Sequence, residues 1–209
     1  MLSATQLDAP TYYDHHAATL AERYVSVTFE EVHPVLLRHL PSAGRVLDIG
    51  AGIGRDAVAL SARGLTVTAV EPSEALRQIG ESAGDGVRWV DDRLPDLQRL
   101  GNEEAYDLIL CSAVIMLVKP ADLKSSFKRM AQLLLPNGLL VFSVRAPMRS
   151  EPSELFFDHG DDALLAAASS AGLVCIEQVA LEDALNRTSI QWRNFVLRKK
   201  GSGSTRDKA

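Results

Sequence analysis

The chain has 209 residues, 46% of them apolar and 23% charged, near globular averages; that excludes fibre and bulk disorder and predicts one ordinary domain. Its 22 basic and 27 acidic side chains give a net charge of −5, and the last eleven residues hold four of the bases and one of the acids, leaving Met1 to Arg198 near −8. A body that acidic lacks the broad positive field used against phosphates, which argues against a nucleic-acid partner.

In chain order, the segment before Pro10 reads as loose, and Thr19 to Leu40 has helical spacing that stops at Pro41. Arg45–Ile49 (RVLDI) is a short apolar strand running into GAGIG. Asp56 to Ala62 is predicted helical up to Gly64, Leu65 to Val70 a β-branched strand, and Ser73 to Ser82 a helix opened by a capping serine. Val87–Val90 and Tyr106 to Cys111 are strands, and Asp122 to Leu135 is a helix closed by Pro136-Asn137-Gly138. Leu139 to Val144 is the next strand, Asp161 to Ala171 a helix ended by Gly172, and Leu173 to Ala180 and Ser189 to Leu197 are the last strands. Strand–helix alternation with near-continuously apolar strands predicts a parallel sheet with helices on both faces. The final connection is too short for a helical crossover, so the last two strands pair antiparallel. The tail from Lys199 to Ala209 is Gly/Ser/Lys-rich and reads as disordered.

Cys111 and Cys175 sit in separate strands without metal-ligand spacing, so they are expected as buried free thiols, and no metal site is expected. The first thirty residues carry Asp8, Asp14, Glu22 and Glu30 and no apolar leader, and Leu108 to Val118 falls short of the ~20 residues of a membrane span. A soluble cytoplasmic protein is expected.

The main chemical signal is VLDIGAGIGRDAV, Val46 to Val58: a strand, a glycine turn and a helix start. Glycines let a ligand approach the backbone closely. The spacing is G-x-G-x-G, and Arg55 stands where a dinucleotide fingerprint needs glycine. Asp48, two residues before Gly50, would repel a pyrophosphate but attract the ammonium of S-adenosylmethionine. Glu71 ends the second strand, where an acid can accept from both ribose hydroxyls, a feature shared by NAD and S-adenosylmethionine sites. Asp91 ends the third strand, within reach of an adenine amine. The alternative, three unrelated strand-end carboxylates, does not account for their alignment with the glycine loop.

With these residues the sequence resembles the class I S-adenosylmethionine-dependent methyltransferases of the small bacterial single-domain type. The resemblance covers about Tyr12 to Lys199 and rests on VLDIGAGIGRDAVALSARG, TAVEPS, WVDDRLPDL, YDLILCSAVIML and LLLPNGLLVFSV. It implies a Rossmann-like α/β three-layer sandwich with a seven-stranded, mostly parallel sheet whose seventh, antiparallel strand lies between the fifth and sixth. It implies one domain over residues 1–198, with N-terminal lid helices at about 11–40 and a core at about 44–198. Asp48, Gly50, Ala51 and Gly52 would hold the methionine end, Glu71 the ribose diol, and Pro72 would pack on the adenine. Asp91 would meet the adenine amine and the backbone of Asp92 its ring nitrogen, with Cys111 and Ser112 near the sulfonium. Tyr13 or Tyr24 would close over the methionine end. The histidine that many relatives carry after the fourth strand is absent: Ala113 to Val118 is wholly apolar.

Candidate catalytic groups are Tyr13 and His159, the latter read chiefly as a cap for the following helix. The loop from Arg145 to Gly160 offers Arg145 and Arg149 to an acceptor carboxylate and Phe156-Phe157 to an apolar acceptor. His15 and His16 read as surface, and Trp89 and Trp192 as core. The [DN]-P-P-[YF] motif of amino-directed DNA methyltransferases is replaced by Cys111-Ser112-Ala113-Val114, and neither cysteine follows proline as cytosine-C5 enzymes require. The expectation is methyl transfer to a small-molecule O, N or C acceptor, with S-adenosylhomocysteine as product, by a monomer or homodimer. A non-catalytic S-adenosylmethionine-binding regulator and a protein- or RNA-directed methyltransferase are the alternatives; a nicotinamide oxidoreductase is disfavoured by Asp48 and Arg55.

Overall fold

The computed structural model describes residues 8–201. Seven strands form one sheet: β1 (Arg45–Ile49), β2 (Thr66–Val70), β3 (Val87–Val90), β4 (Tyr106–Ser112), β5 (Leu134–Val144), β6 (Leu173–Glu182) and β7 (Gln191–Lys199). Their order is β3-β2-β1-β4-β5-β7-β6; the first five run parallel, and β7 is antiparallel to both neighbours. The expected insertion of an antiparallel β7 between β5 and β6 is what the chain adopts.

Both faces of the sheet are buried because the strands are apolar at successive positions. Leu47, Ile109, Phe127, Phe142 and Phe195 pack on one face, where Phe142 and Phe195 stack 4.7 Å apart. Val46, Leu108, Leu110 and Val196 pack on the other, against Leu36 and Leu60. Cys111 is a free thiol buried in the first cluster; Cys175 is free and half-buried.

The N-terminal helical region differs from the single run expected over 19–40. It forms α1 (Ala9–Val25), α2 (Phe29–Val32) and α3 (Pro34–Leu37). Asp8 starts α1 by accepting from the Thr11 amide at 3.1 Å. Thr28 and Glu31 make a reciprocal capping box on α2. Pro34 then ends that run, because a proline disfavours helical backbone at the preceding residue; His33 sits at φ −121°, ψ 46°.

The remaining helices are α4 (Arg55–Ser61), α5 (Glu74–Ala83), α6 (Leu123–Leu133) and α7 (Asp161–Ser170). Ser73 caps α5, as its sequence implies. Helix α6 stops two residues earlier than predicted. Leu134 already pairs with Tyr106, and Pro136-Asn137-Gly138 is absorbed as an irregularity of β5, with Asn137 at φ +65°. The tail residues after Gly201 lie outside the described residues. Among the described residues no helix is long and apolar enough to cross a membrane.

Candidate active site

Strand order reverses between β1 and β4, so the chain leaves these neighbouring strands in opposite directions and opens a crevice beyond their carboxyl ends. A cavity of about 1500 Å³ occupies it. The β1–α4 turn forms its floor. Gly50 and Gly52 take φ of +71° and +57°, and a Cβ at Gly50 would lie 2.2 Å from the Val114 side chain, so no other residue fits there without displacing the loop after β4.

Glu71, at the end of β2, turns its carboxylate towards this turn. It accepts from the Gly52 amide and the Ser73 amide, each at 2.8 Å. Burial pushes its pKa up against the pull of these two amides. Asp48 is 2% exposed, and its Oδ2 has no hydrogen-bond partner among the described residues. Burial first, then the neighbouring Asp56, holds it well above the usual carboxylate range. Asp56 has the opposite fate. Burial would raise it, but His33 Nε2 at 2.8 Å and the paired Nε and Nη2 contacts of Arg55 at 2.7 and 3.0 Å lower it. Two buried carboxylates under one glycine turn are thus driven apart: Asp56 is fully paired and Asp48 is left wanting a cation or donor.

The roof comes from α1 and from the loop after β5. Tyr13 and Tyr24 both line the cavity, and burial pushes both phenols up, so they stay protonated. Helix α1 is tied down beside the site: Asp14 Oδ1 accepts from Ser73 Oγ at 2.6 Å and from the Ala75 amide at 3.1 Å. Tyr12 meets Phe156 edge-to-face at 5.8 Å, joining the two parts of the roof.

The structure brings together most of the residues singled out in the sequence. Gly50, Ala51, Gly52, Glu71 and Pro72 line the cavity, as do Asp92 and Ser112. Asp48 lies buried at the end of β1 beneath the turn. Asp91 is placed outside the wall, its carboxylate 2.8 Å from Arg99 and 3.7 Å from Arg77. The Asp92 carboxylate accepts from the Arg93 and Arg99 amides at 2.8 and 2.6 Å. Cys111 also stands off the wall, because it points into the core on the opposite side of β4 from Ser112. Burial raises its thiol far out of reach of ionisation at neutral pH.

His159 neither lines the cavity nor caps α7. It is 3% exposed and its Nε2 bonds the Val118 carbonyl at 2.9 Å, while the N-cap of α7 is Gly160, with no side-chain cap. Arg149 is exposed and off the wall. Arg145 lines the cavity, but both its Nη atoms are taken by Glu151, which also accepts from the Met148 amide at 2.7 Å. His15 and His16 are exposed. Trp192 is a correction: it is half-buried and lines the cavity, with the Arg145 guanidinium 5.7 Å over its ring and Nε1 donating to Asp183 at 2.9 Å. Glu151, to which the sequence assigns no role within its loop, and Asp183 and Arg187, which it does not single out, belong to the wall. Their only linear signal was opposite charges four and six residues apart.

The sequence profile of the methyltransferase domain family matches residues 13–198. The chain belongs to this family, within the class I S-adenosylmethionine-dependent methyltransferases. A curated relative, the putative methyltransferase YqeM of Bacillus subtilis, is 24% identical over 64% of this chain and 56% of its own length. The ubiquinone biosynthesis O-methyltransferase of Bradyrhizobium diazoefficiens is 34% identical over 47% of this chain and 39% of its own. The chain spans about half the length of the curated relatives it matches. Among solved structures, the 1,6-didemethyltoxoflavin-N1-methyltransferase of Burkholderia thailandensis superposes with a TM-score of 0.67 at 21% identity, over 96% of this chain and 98% of that one; it was crystallised with 1,6-didemethyltoxoflavin and S-adenosylhomocysteine. The methyl donor of this superfamily is S-adenosylmethionine, and the methyltransferase cavity fits it. The bare Asp48 oxygen suits a site for an ammonium, the Gly50 cradle admits no side chain, and the Glu71 carboxylate faces the turn.

Proposed function

We propose that this methyltransferase domain alkylates an O, N or C atom of a small-molecule acceptor in the cytoplasm. The observation that carries this reading is the cavity. Its volume of about 1500 Å³ exceeds the roughly 300–1,000 Å³ of an ordinary single-ligand site, leaving room for an acceptor beside the cofactor. Its roof is part of the same domain, as a small enclosed acceptor requires. The acidic body argues against a nucleic-acid substrate.

In this reading Asp48, Gly50, Ala51 and Gly52 hold the methionine end, Glu71 holds the ribose, and Pro72 and the Asp92 backbone flank the adenine. Asp91 and Cys111 support the wall from behind. Bound S-adenosylmethionine supplies a methyl group on an already activated sulfonium. The chain's own task is to align the acceptor and exclude water, work that alone can remove several kcal/mol of barrier, ~7–11 in the best cases. No histidine lines the cavity among the described residues. Tyr13, protonated, orients the acceptor through its hydroxyl rather than removing a proton.

The test is a thermal-shift titration with S-adenosylhomocysteine and NADH, followed by transfer of a labelled methyl group into a metabolite panel. A ligand at ~100 times its Kd raises stability by about 2.7 kcal/mol. The expected result is a shift with S-adenosylhomocysteine alone and label in an uncharged or weakly basic metabolite. A shift with NADH alone overturns the reading.

A further inference from the structure

We infer that the acceptor is an uncharged, ring-containing molecule, and that the Arg145–Glu151 pair is the specificity device that turns away carboxylated analogues. The inference rests on the methyltransferase reading and narrows its substrate class. The sequence suggests the reverse, since two arginines after β5 look like carboxylate clamps. The structure removes both: Arg149 is outside the cavity, and Arg145 is already clamped.

The Arg145 and Glu151 side chains are each 7% exposed. Glu151 spends both oxygens on Arg145 and the Met148 amide, so the pair has no net charge, and Arg145 Nε is left as a single buried donor without a partner among the described residues. Arg187 is also paired, though less buried. Its Nε and Nη2 donate to Asp183 at 2.9 and 2.7 Å, and Trp192 Nε1 completes that carboxylate. The other bases of the wall do not compensate. Arg55 and Arg93 serve Asp56 and Asp8 at the cofactor end, and Arg23 and Lys119 are exposed. An anionic acceptor would therefore lose its water and meet Glu151 while the cations within reach that are unpaired among the described residues, Arg23 and Lys119, are solvent-exposed and worth little to it, a repulsive discrimination. Beside aliphatic side chains such as Met148 and Leu155, the same wall carries four aromatic ones, Tyr12, Phe156, Phe157 and Trp192. Such walls favour flat rings through edge and face contacts.

The experiment uses benzamide and benzoate as probes, titrated into the full chain at saturating S-adenosylhomocysteine and read by calorimetry or ligand-observed NMR. Wild type is expected to bind benzamide at least tenfold more tightly than benzoate. Glu151→Gln, which frees the Arg145 guanidinium, is expected to gain at least tenfold for benzoate, and the gain is expected to vanish in Arg145→Met/Glu151→Gln. Benzoate binding wild type as tightly as benzamide overturns the proposal. So does a Glu151→Gln protein with no benzoate gain, including one that binds neither probe. If Glu151→Gln fails to fold, the wild-type ratio decides, supported by Arg145→Met/Glu151→Met, in which an apolar pair replaces the ionic one; there benzamide must still be preferred. Loss of S-adenosylhomocysteine binding by wild type would sink the methyltransferase reading itself, whereas a benzoate preference in a protein that binds it sinks only the acceptor class.

Discussion

Asp48 pays for its position with an unpartnered, buried carboxylate oxygen. A carboxyl whose folded pKa lies above its unfolded value costs nothing below that unfolded value and costs stability as pH rises from there towards the folded one. Asp48→Asn should therefore raise the ligand-free Tm at pH 7 by a few degrees, at about 2–4 °C per kcal/mol for a domain this size. The same change should weaken S-adenosylhomocysteine binding. A lower Tm with unchanged affinity would mean that Asp48 is a structural group. Glu71 is a different case, since its partners are the Gly52 amide of the turn it faces and the Ser73 amide at the start of α5. Glu71→Ala should raise the Kd for S-adenosylhomocysteine on the order of 10- to 100-fold, the scale of roughly 1.5–3 kcal/mol for hydrogen bonds to a charged group. Calorimetry returning the wild-type affinity would refute the ribose assignment.

At the scale of elements, α1 is a roof held by few bonds. Asp14 ties it to the start of α5 through Ser73 Oγ and the Ala75 amide, and Asp8 ties it to Arg93 at 3.2 Å. Asp14→Ala removes bonds of about 1 kcal/mol net each. Faster hydrogen exchange across α1 and severalfold faster S-adenosylhomocysteine release should follow, with β1 and β4 unaffected. Exchange in α1 that matches wild type would place the latch elsewhere, in the packing of Ala17, Ile53 and Leu76. That three-part N-terminal region also marks where helical periodicity misled. Apolar spacing continued through both breaks, and only local rules could have divided it: the Thr28-x-x-Glu31 capping box before α2 and Pro34 before α3.

Over the whole molecule, several carboxylates are depressed by the groups that pair with them, some adjacent in sequence and some, such as His33 and Arg88, not. Burial would raise Glu104, but Arg88 at 2.8 Å, the Tyr106 hydroxyl at 2.7 Å and the Gly101 amide at 3.1 Å hold it at about 2, against 4.5 unfolded. Arg187 and Trp192 lower Asp183, and His33 and Arg55 lower Asp56 despite its burial. Groups depressed in the fold contribute stability that is complete above their unfolded pKa and disappears as pH falls through the folded one. These depressed groups should make the Tm drop steeply as pH falls between about 4.5 and 2, and Glu104→Gln should flatten part of that drop in a circular-dichroism pH series. A Tm unchanged to pH 2 would show that these pairs contribute nothing.

The sequence by itself determined the sheet, because apolar strands and capped helices are local patterns that burial on two faces requires. It also determined the cofactor end, because GAGIG after Asp48 needs positive φ and close backbone approach at fixed spacing, and Glu71 follows on the adjacent strand. Tertiary structure alone decided the acceptor end. Whether Arg145 meets a ligand or Glu151, whether His159 faces a cavity or Val118, and whether Trp192 is core or wall all depend on how the loop after β5 folds over β7. Charge pairing and side-chain direction in an irregular loop carry no period, so nothing in the linear order of residues specifies which partner each group will find.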